Sequence, residues 1–111
     1  MISELKIEVI GRVQGIGFRA MIKSYADKNG LKGYVANLDN GNVKIDIQGE
    51  KNKLDDFIEW IKTNPGMSKV IEMKIDIKKI KNKYDKFEIK KEYGYIEDKS
   101  RSFINLGKSI F

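Results

Sequence analysis

The run LKIEVIGRVQGIGFRAMIKSYA, Leu5 to Ala26, changes its hydrophobic period part-way along. Leu5, Ile7 and Val9 alternate with Lys6, Glu8 and Ile10, a period of two that predicts a half-buried strand. From Phe18 the spacing becomes helical. Phe18, Met21, Ile22, Tyr25 and Ala26 fall at i, i+3, i+4, i+7 and i+8, one face of an α-helix. Gly11, Gly15 and Gly17 lie between the two patterns and frame a tight loop. Asn29-Gly30 stops the helix, because glycine takes a left-handed C-terminal conformation without steric cost.

Downstream, Gly33 to Leu38 and Val43 to Ile47 read as strands, joined by the turn Asp39-Asn40-Gly41-Asn42, and Gly49 closes the second. Leu54, Phe57, Ile58 and Ile61 mark a second amphipathic helix with Trp60 at its edge. Asn64-Pro65-Gly66 ends it, and Pro65 is the single proline of the chain. Val70 to Ile77 alternates again, and Phe87-Glu88-Ile89 is a candidate fifth, edge strand. The order β-α-β-β-α-β predicts an α+β fold of the ferredoxin-like type: an antiparallel four-stranded sheet with both helices on one face. Many unrelated activities share that sandwich, so the fold alone assigns none.

Composition narrows the chemistry more than the fold does. The 111 residues suit one domain with one core, and 41% of them are hydrophobic. Cysteine is absent, which excludes disulfides, thiolate catalysis, zinc knuckles and iron–sulfur clusters. Histidine is absent too, removing the commonest general base and the commonest metal ligand. No metal site and no cofactor are expected. The net charge of +6, from 22 basic against 16 acidic residues, attracts anions. No apolar run is long enough to span a membrane, and Met1-Ile2-Ser3-Glu4 lacks the pattern of a signal peptide. A cytoplasmic protein with no membrane partner is expected.

The loop Gly11-Arg12-Val13-Gln14-Gly15-Ile16-Gly17-Phe18-Arg19 leads from a strand into a helix N-terminus. A helix start presents unpaired backbone N–H groups and a partial positive charge, both of which suit a phosphate. Glycines let successive N–H groups curl around a small anion. Arg19 enters the first turn with a planar fork that fits two phosphate oxygens. A plain tight turn with an exposed arginine fits the same residues, and a glycine-rich loop alone does not decide between them.

A family resemblance adds to that reading. Gly11 to Arg19 is similar to the first acylphosphatase signature, Gly-x-Val-Gln-Gly-Val-x-Phe-Arg, with Ile16 replacing the usual valine. Gly33-Tyr34-Val35-Ala36-Asn37, followed by Gly41-Asn42-Val43 and Gly49, resembles the second. The resemblance covers about residues 4–91 and has the family's element order. It implies hydrolysis of acyl phosphates to a carboxylate and inorganic phosphate without a metal. It further implies that Arg19 binds the phosphate, that Asn37 positions the attacking water, and that backbone N–H groups of Gln14, Gly15, Ile16, Gly17, Phe18 and Arg19 form a cradle. The chemistry suits such residues: a carboxylate leaves without being protonated, so charge stabilisation and positioning matter more than proton transfer. Without the resemblance, Asn37 would read as a strand-end residue bonding a loop, and Asp39 as an Asx-turn residue.

Other expectations concern partners and the chain's end. Exposed aromatics on central strands mark sheets that bind RNA, and Val43-Lys44-Ile45-Asp46-Ile47 has none, so no nucleic acid is expected. A monomer acting on a small acyl phosphate is expected. Residues 78–91 carry seven lysines, as expected of an edge strand defended by charge. The domain is expected to span residues 1–91. Residues 92–111, with Phe103, Leu106, Ile110 and Phe111 at helical spacing, would form an extension that docks on it or begins a longer chain. An alternative reading makes the unit the acylphosphatase-like domain of a larger protein acting on carbamoyl phosphate or another acyl phosphate. The hydrogenase-maturation carbamoyltransferases begin with such a domain, but continue into cysteine-rich fingers that are missing here.

Overall fold

The computed structural model describes residues 1–91. The expected extension, 92–111, lies outside the described residues. The elements are β1 (Ile2–Arg12), α1 (Phe18–Lys28), β2 (Lys32–Asn37), β3 (Val43–Glu50), α2 (Lys51–Lys62), β4 (Lys69–Lys78) and β5 (Phe87–Ile89). They form one five-stranded sheet in the order β4-β1-β3-β2-β5. Strands β4, β1, β3 and β2 are antiparallel neighbours, as expected of the split β-α-β pair. The fifth strand is present at the edge beside β2 but runs parallel to it, so the sheet is mixed.

Alternation on β1 sends Leu5, Ile7 and Val9 to one face, where Val43, Ile45 and Ile47 of β3 and Val35 of β2 join them. Both helices cover that face. Phe18, Ile22 and Ala26 of α1 and Leu54, Phe57 and Ile61 of α2 are buried against it. Each fully buried large apolar side chain contributes about 1.5–3 kcal/mol relative to exposure. The helices lock to each other through Tyr25, which stacks on Trp60 at 4.3 Å and tilts against Phe57 at 5.6 Å. Helix α1 ends as the sequence predicts: Leu31 N–H bonds Ala26 O at 2.9 Å and Gly30 takes φ 68°, a Schellman arrangement.

Three departures stand out. Strand β3 runs past Gly49 to Glu50, because Ser3 and Ile2 of a longer β1 pair with these residues. The lysine-rich stretch is not one edge strand. Lys78 ends β4 and Phe87–Ile89 forms β5, while residues 79–86 between them form a loop that crosses the outer face of the sheet. Gln48 anchors this loop, its Nε2 donating to Asn82 O at 2.8 Å and its Oε1 accepting from Tyr84 N–H at 3.0 Å. Strand β4 is also more exposed than its alternation suggests. The helices pack on β2, β3 and β5, leaving Ile75 and Ile77 of β4 beyond their cover.

The outer face holds a buried polar cluster under the crossing loop. Asp46 is fully buried; its Oδ2 accepts from Lys6 Nζ at 2.6 Å, directly across the β1–β3 pair. Its Oδ1 finds no donor among the described residues. Burial, then the neighbouring Asp46, hold the Glu4 carboxyl above the usual carboxylate range. Burial lowers and Asp46 raises the Lys6 ammonium, and the second effect wins. Burial, then Asp46, also push the Tyr84 phenol up. A proton on Glu4 supplies a donor to the carboxylate beside it.

Because the folded protein holds this proton more tightly than the unfolded chain, Glu4 contributes stability below its unfolded pKa. That contribution disappears as pH rises through the folded value. Glu4→Gln, which carries an N–H donor at all pH values, is therefore expected to stabilise the fold by about 1 kcal/mol at neutral pH. The gain shrinks towards zero near pH 4, where glutamate is largely protonated. Urea denaturation at the two pH values checks this, and a gain that grows on acidification would contradict it.

Candidate active site

The chain leaves β1 at Arg12 and enters α1 at Phe18 through two left-handed glycines, Gly15 at φ 76° and Gly17 at φ 78°. No atom lies within 4 Å of where a Cβ on either would sit, so the need for glycine is conformational rather than steric. The missing side chains leave the inner curve of the loop open. Gly17 is the N-cap of α1, no side chain caps that end, and no acidic residue stands in the first turn. The positive end of the helix and its first N–H groups are thus neither bonded by a side chain nor neutralised by a local carboxylate.

Gln14 turns away from the loop's open side. Its Nε2 donates to Leu38 O and Asn42 O, both at 2.8 Å. These carbonyls belong to the turn between β2 and β3, itself closed by Leu38 N–H to Asn42 O at 2.8 Å. The Asx bond of this turn is made by Asn40, whose Oδ1 accepts from Asn42 N–H at 3.0 Å, rather than by Asp39. Glu8 Oε2 on β1 accepts from Asn42 Nδ2 at 2.6 Å and braces the turn from a third side. The glycine loop and the β2–β3 hairpin are thereby bolted together immediately beyond Asn37.

That junction brings Arg19 and Asn37, 18 positions apart in the chain, into the wall of one cavity of about 200 Å³. Val13, Gly15, Gly17, Phe18, Ala20 and Ile89 complete its lining. Arg19 is half-buried in the first turn of α1 and has no hydrogen-bond or ion-pair partner among the described residues. Asn37 ends β2, paired with Val43, and its Oδ1 is buried without a hydrogen-bond partner among the described residues. Phe18 is buried and roots the loop in the core, and Ile16 packs against that core. Ile16 and Gln14 do not line the cavity.

A strand running into a glycine loop, an unpaired arginine at a helix start and a strand-end asparagine in one small cavity can be compared with known proteins. The sequence profile of the family described as Acylphosphatase matches residues 5–89, which covers every residue of the cavity. The chain belongs to the acylphosphatase family. Its enzymatic function is that of the family. It is 43% identical over 82 residues to the acylphosphatase of Clostridium beijerinckii, covering 74% of this chain and 91% of that protein. It superposes on the crystal structure of acylphosphatase from Bacillus subtilis with a TM-score of 0.75 and 37% identity, covering 80% of this chain and 98% of the other. It is also similar to a segment of full-length HypF, with TM-score 0.76 and 36% identity, covering 85% of this chain and 13% of that one.

Sequence reasoning named the polar residues of the acylphosphatase cavity but not its apolar walls. Val13, Ala20 and Ile89 carry no chemical signature, and Ile89 arrives only because β5 pairs with β2, Val35 opposite Ile89. The bracing role of the Gln14 side chain was missed as well; the residue was visible only as one of a backbone run. Gln14→Ala is expected to lower stability by about 1 kcal/mol, since it removes both bonds that tie the glycine loop to the hairpin while each carbonyl keeps one backbone donor, Leu38 N–H on Asn42 O and Gly41 N–H on Leu38 O. Chemical denaturation measures this, and an unchanged midpoint would mean that the brace carries no load.

Proposed function

We propose that this cavity hydrolyses acyl phosphates, with the phosphate held by Arg19 and by backbone N–H groups of Gln14, Gly15, Ile16, Gly17, Phe18 and Arg19. Asn37 orients the water that attacks phosphorus. The observation that carries this reading is the convergence of an unpaired guanidinium, an open left-handed glycine loop and the Asn37 amide on one cavity. The guanidinium supplies a fixed charge and two donors to phosphate oxygens. The helix end adds further positive potential on the same side.

In the step itself, a bond forms between the water oxygen and phosphorus while the bond from phosphorus to the acyl oxygen breaks. The electron pair leaves with the carboxylate, and the proton of the water passes to a phosphate oxygen. No general acid is required, which suits a chain without histidine or cysteine. The buried Oδ1 of Asn37 is an acceptor in need of a donor, and a water O–H supplies one. The proposed setting is a monomer in the cytoplasm. No helix among the described residues is long and apolar enough to cross a membrane.

A second reading keeps the chemistry and places it within a longer protein acting on carbamoyl phosphate or another acyl phosphate. The likeness to a segment of HypF supports it, since this chain covers 13% of that protein. Immunodetection of the native protein's mass in its own cells separates the two readings.

Phosphate release from a synthetic acyl phosphate such as benzoyl phosphate, with a chelator present, tests the chemistry. Arg19→Ala is expected to lower kcat/KM by roughly 10²–10³-fold, about 3–4 kcal/mol, comparable to removing an oxyanion donor. Activity that survives this change would defeat the reading. Asn37→Ala is expected to reduce kcat far more than it raises KM, because water placement matters mainly in the transition state. A change confined to KM would refute that role.

A further inference from the structure

A cavity of about 450 Å³ opens on the outer face of the sheet, more than twice the volume of the one at Arg19, and shares no residue with it. Lys6 and Glu4 of β1 form its floor, Lys78 ends β4 at its side, and Lys79, Lys81 and Tyr84 enter from the crossing loop. Four lysines therefore line one concavity. Lys6 is committed to Asp46. Lys78, Lys79 and Lys81 have no ion-pair or hydrogen-bond partner among the described residues.

We propose that this cavity is a second anion site, distinct from the catalytic one, that takes a small molecule carrying two or more phosphate groups. Its volume falls in the range of small-molecule sites, about 300–1,000 Å³. Three uncommitted like charges at one rim repel each other, and a multivalent anion removes that repulsion. A single phosphate monoester brings at most about two negative charges at neutral pH, fewer than the three free ammoniums. Two or more phosphates match them. Lysine binds phosphate as a point charge on a flexible stem, so the site selects for charge density rather than for a planar group such as a carboxylate.

The loop that presents Lys79 and Lys81 is a fixed part of the fold. Gln48 ties it to β3 at both Asn82 and Tyr84, and Tyr84 packs edge-on against Tyr34 of β2, with ring centroids 6.1 Å apart. The opposing charge nearby is limited. Asp46 is paired with Lys6, which leaves Glu4 as the one carboxyl in the lining against the three uncommitted lysines.

Isothermal titration of the full chain with inorganic pyrophosphate at low salt tests the site, in an Arg19→Ala background that disables the first pocket. About one equivalent is expected to bind. Adding Lys79→Ala and Lys81→Ala is expected to weaken binding at least about tenfold, while Lys28→Ala with Lys32→Ala, exposed lysines elsewhere, changes it less than about twofold. With Arg19 intact, the Lys79/Lys81 variant keeps its acyl phosphate hydrolysis, so the result is independent of the catalytic reading. Absence of binding in the Arg19→Ala chain would overturn the proposal. So would equal losses in the two lysine pairs, which would mean that net charge alone attracts the anion.

Discussion

The two bonds from Gln14 Nε2 to Leu38 O and Asn42 O are the constraint on which the site depends. A loop with two left-handed glycines has little stiffness of its own, and a two-stranded hairpin tip has not much more. One amide group joins them at a point adjacent to Asn37, and Glu8 holds the tip from β1. The separation between the helix start and the strand end is then set by the sheet rather than by either loop. Catalysis through positioning needs that kind of fixed geometry, because misplacing a reacting group by about 1 Å costs orders of magnitude in rate.

The two faces of the sheet are built on different physics. The helix side is a continuous apolar core in which shape and volume decide the packing. The outer side buries Asp46 under a polypeptide loop and compensates it with Lys6 and with a protonatable Glu4. Lys79, Lys81, Lys83 and Lys86 lie in the loop that crosses this face, between the two edge strands β4 and β5.

Much of the architecture was legible residue by residue. The change of period at Phe18, the Asn29-Gly30 stop and the turn at 39–42 placed three strands and a helix to within a few residues. Arg19 and Asn37 were identifiable because each stands in a run with a recognisable pattern. The parallel direction of β5 was not legible, since three residues carry no information about orientation. Nor was the exposure of β4, whose alternation matches that of β1; β1 lies inside the sheet between β4 and β3, whereas β4 is an edge strand.

The sequence by itself determined the order of elements, the exclusion of thiol and imidazole chemistry, and which short runs carry polar groups suited to phosphate. Those properties are local: periodicity, turn chemistry and residue inventory are all set within a few positions of the chain. Only the tertiary structure decided that the Gln14 side chain faces a hairpin, that Ile89 closes the small cavity, and that Lys6, Lys79 and Lys81 line one concavity. Each of these depends on strand register and on the path of a crossing loop. Register is fixed by the sum of contacts across the whole sheet, which no single segment encodes.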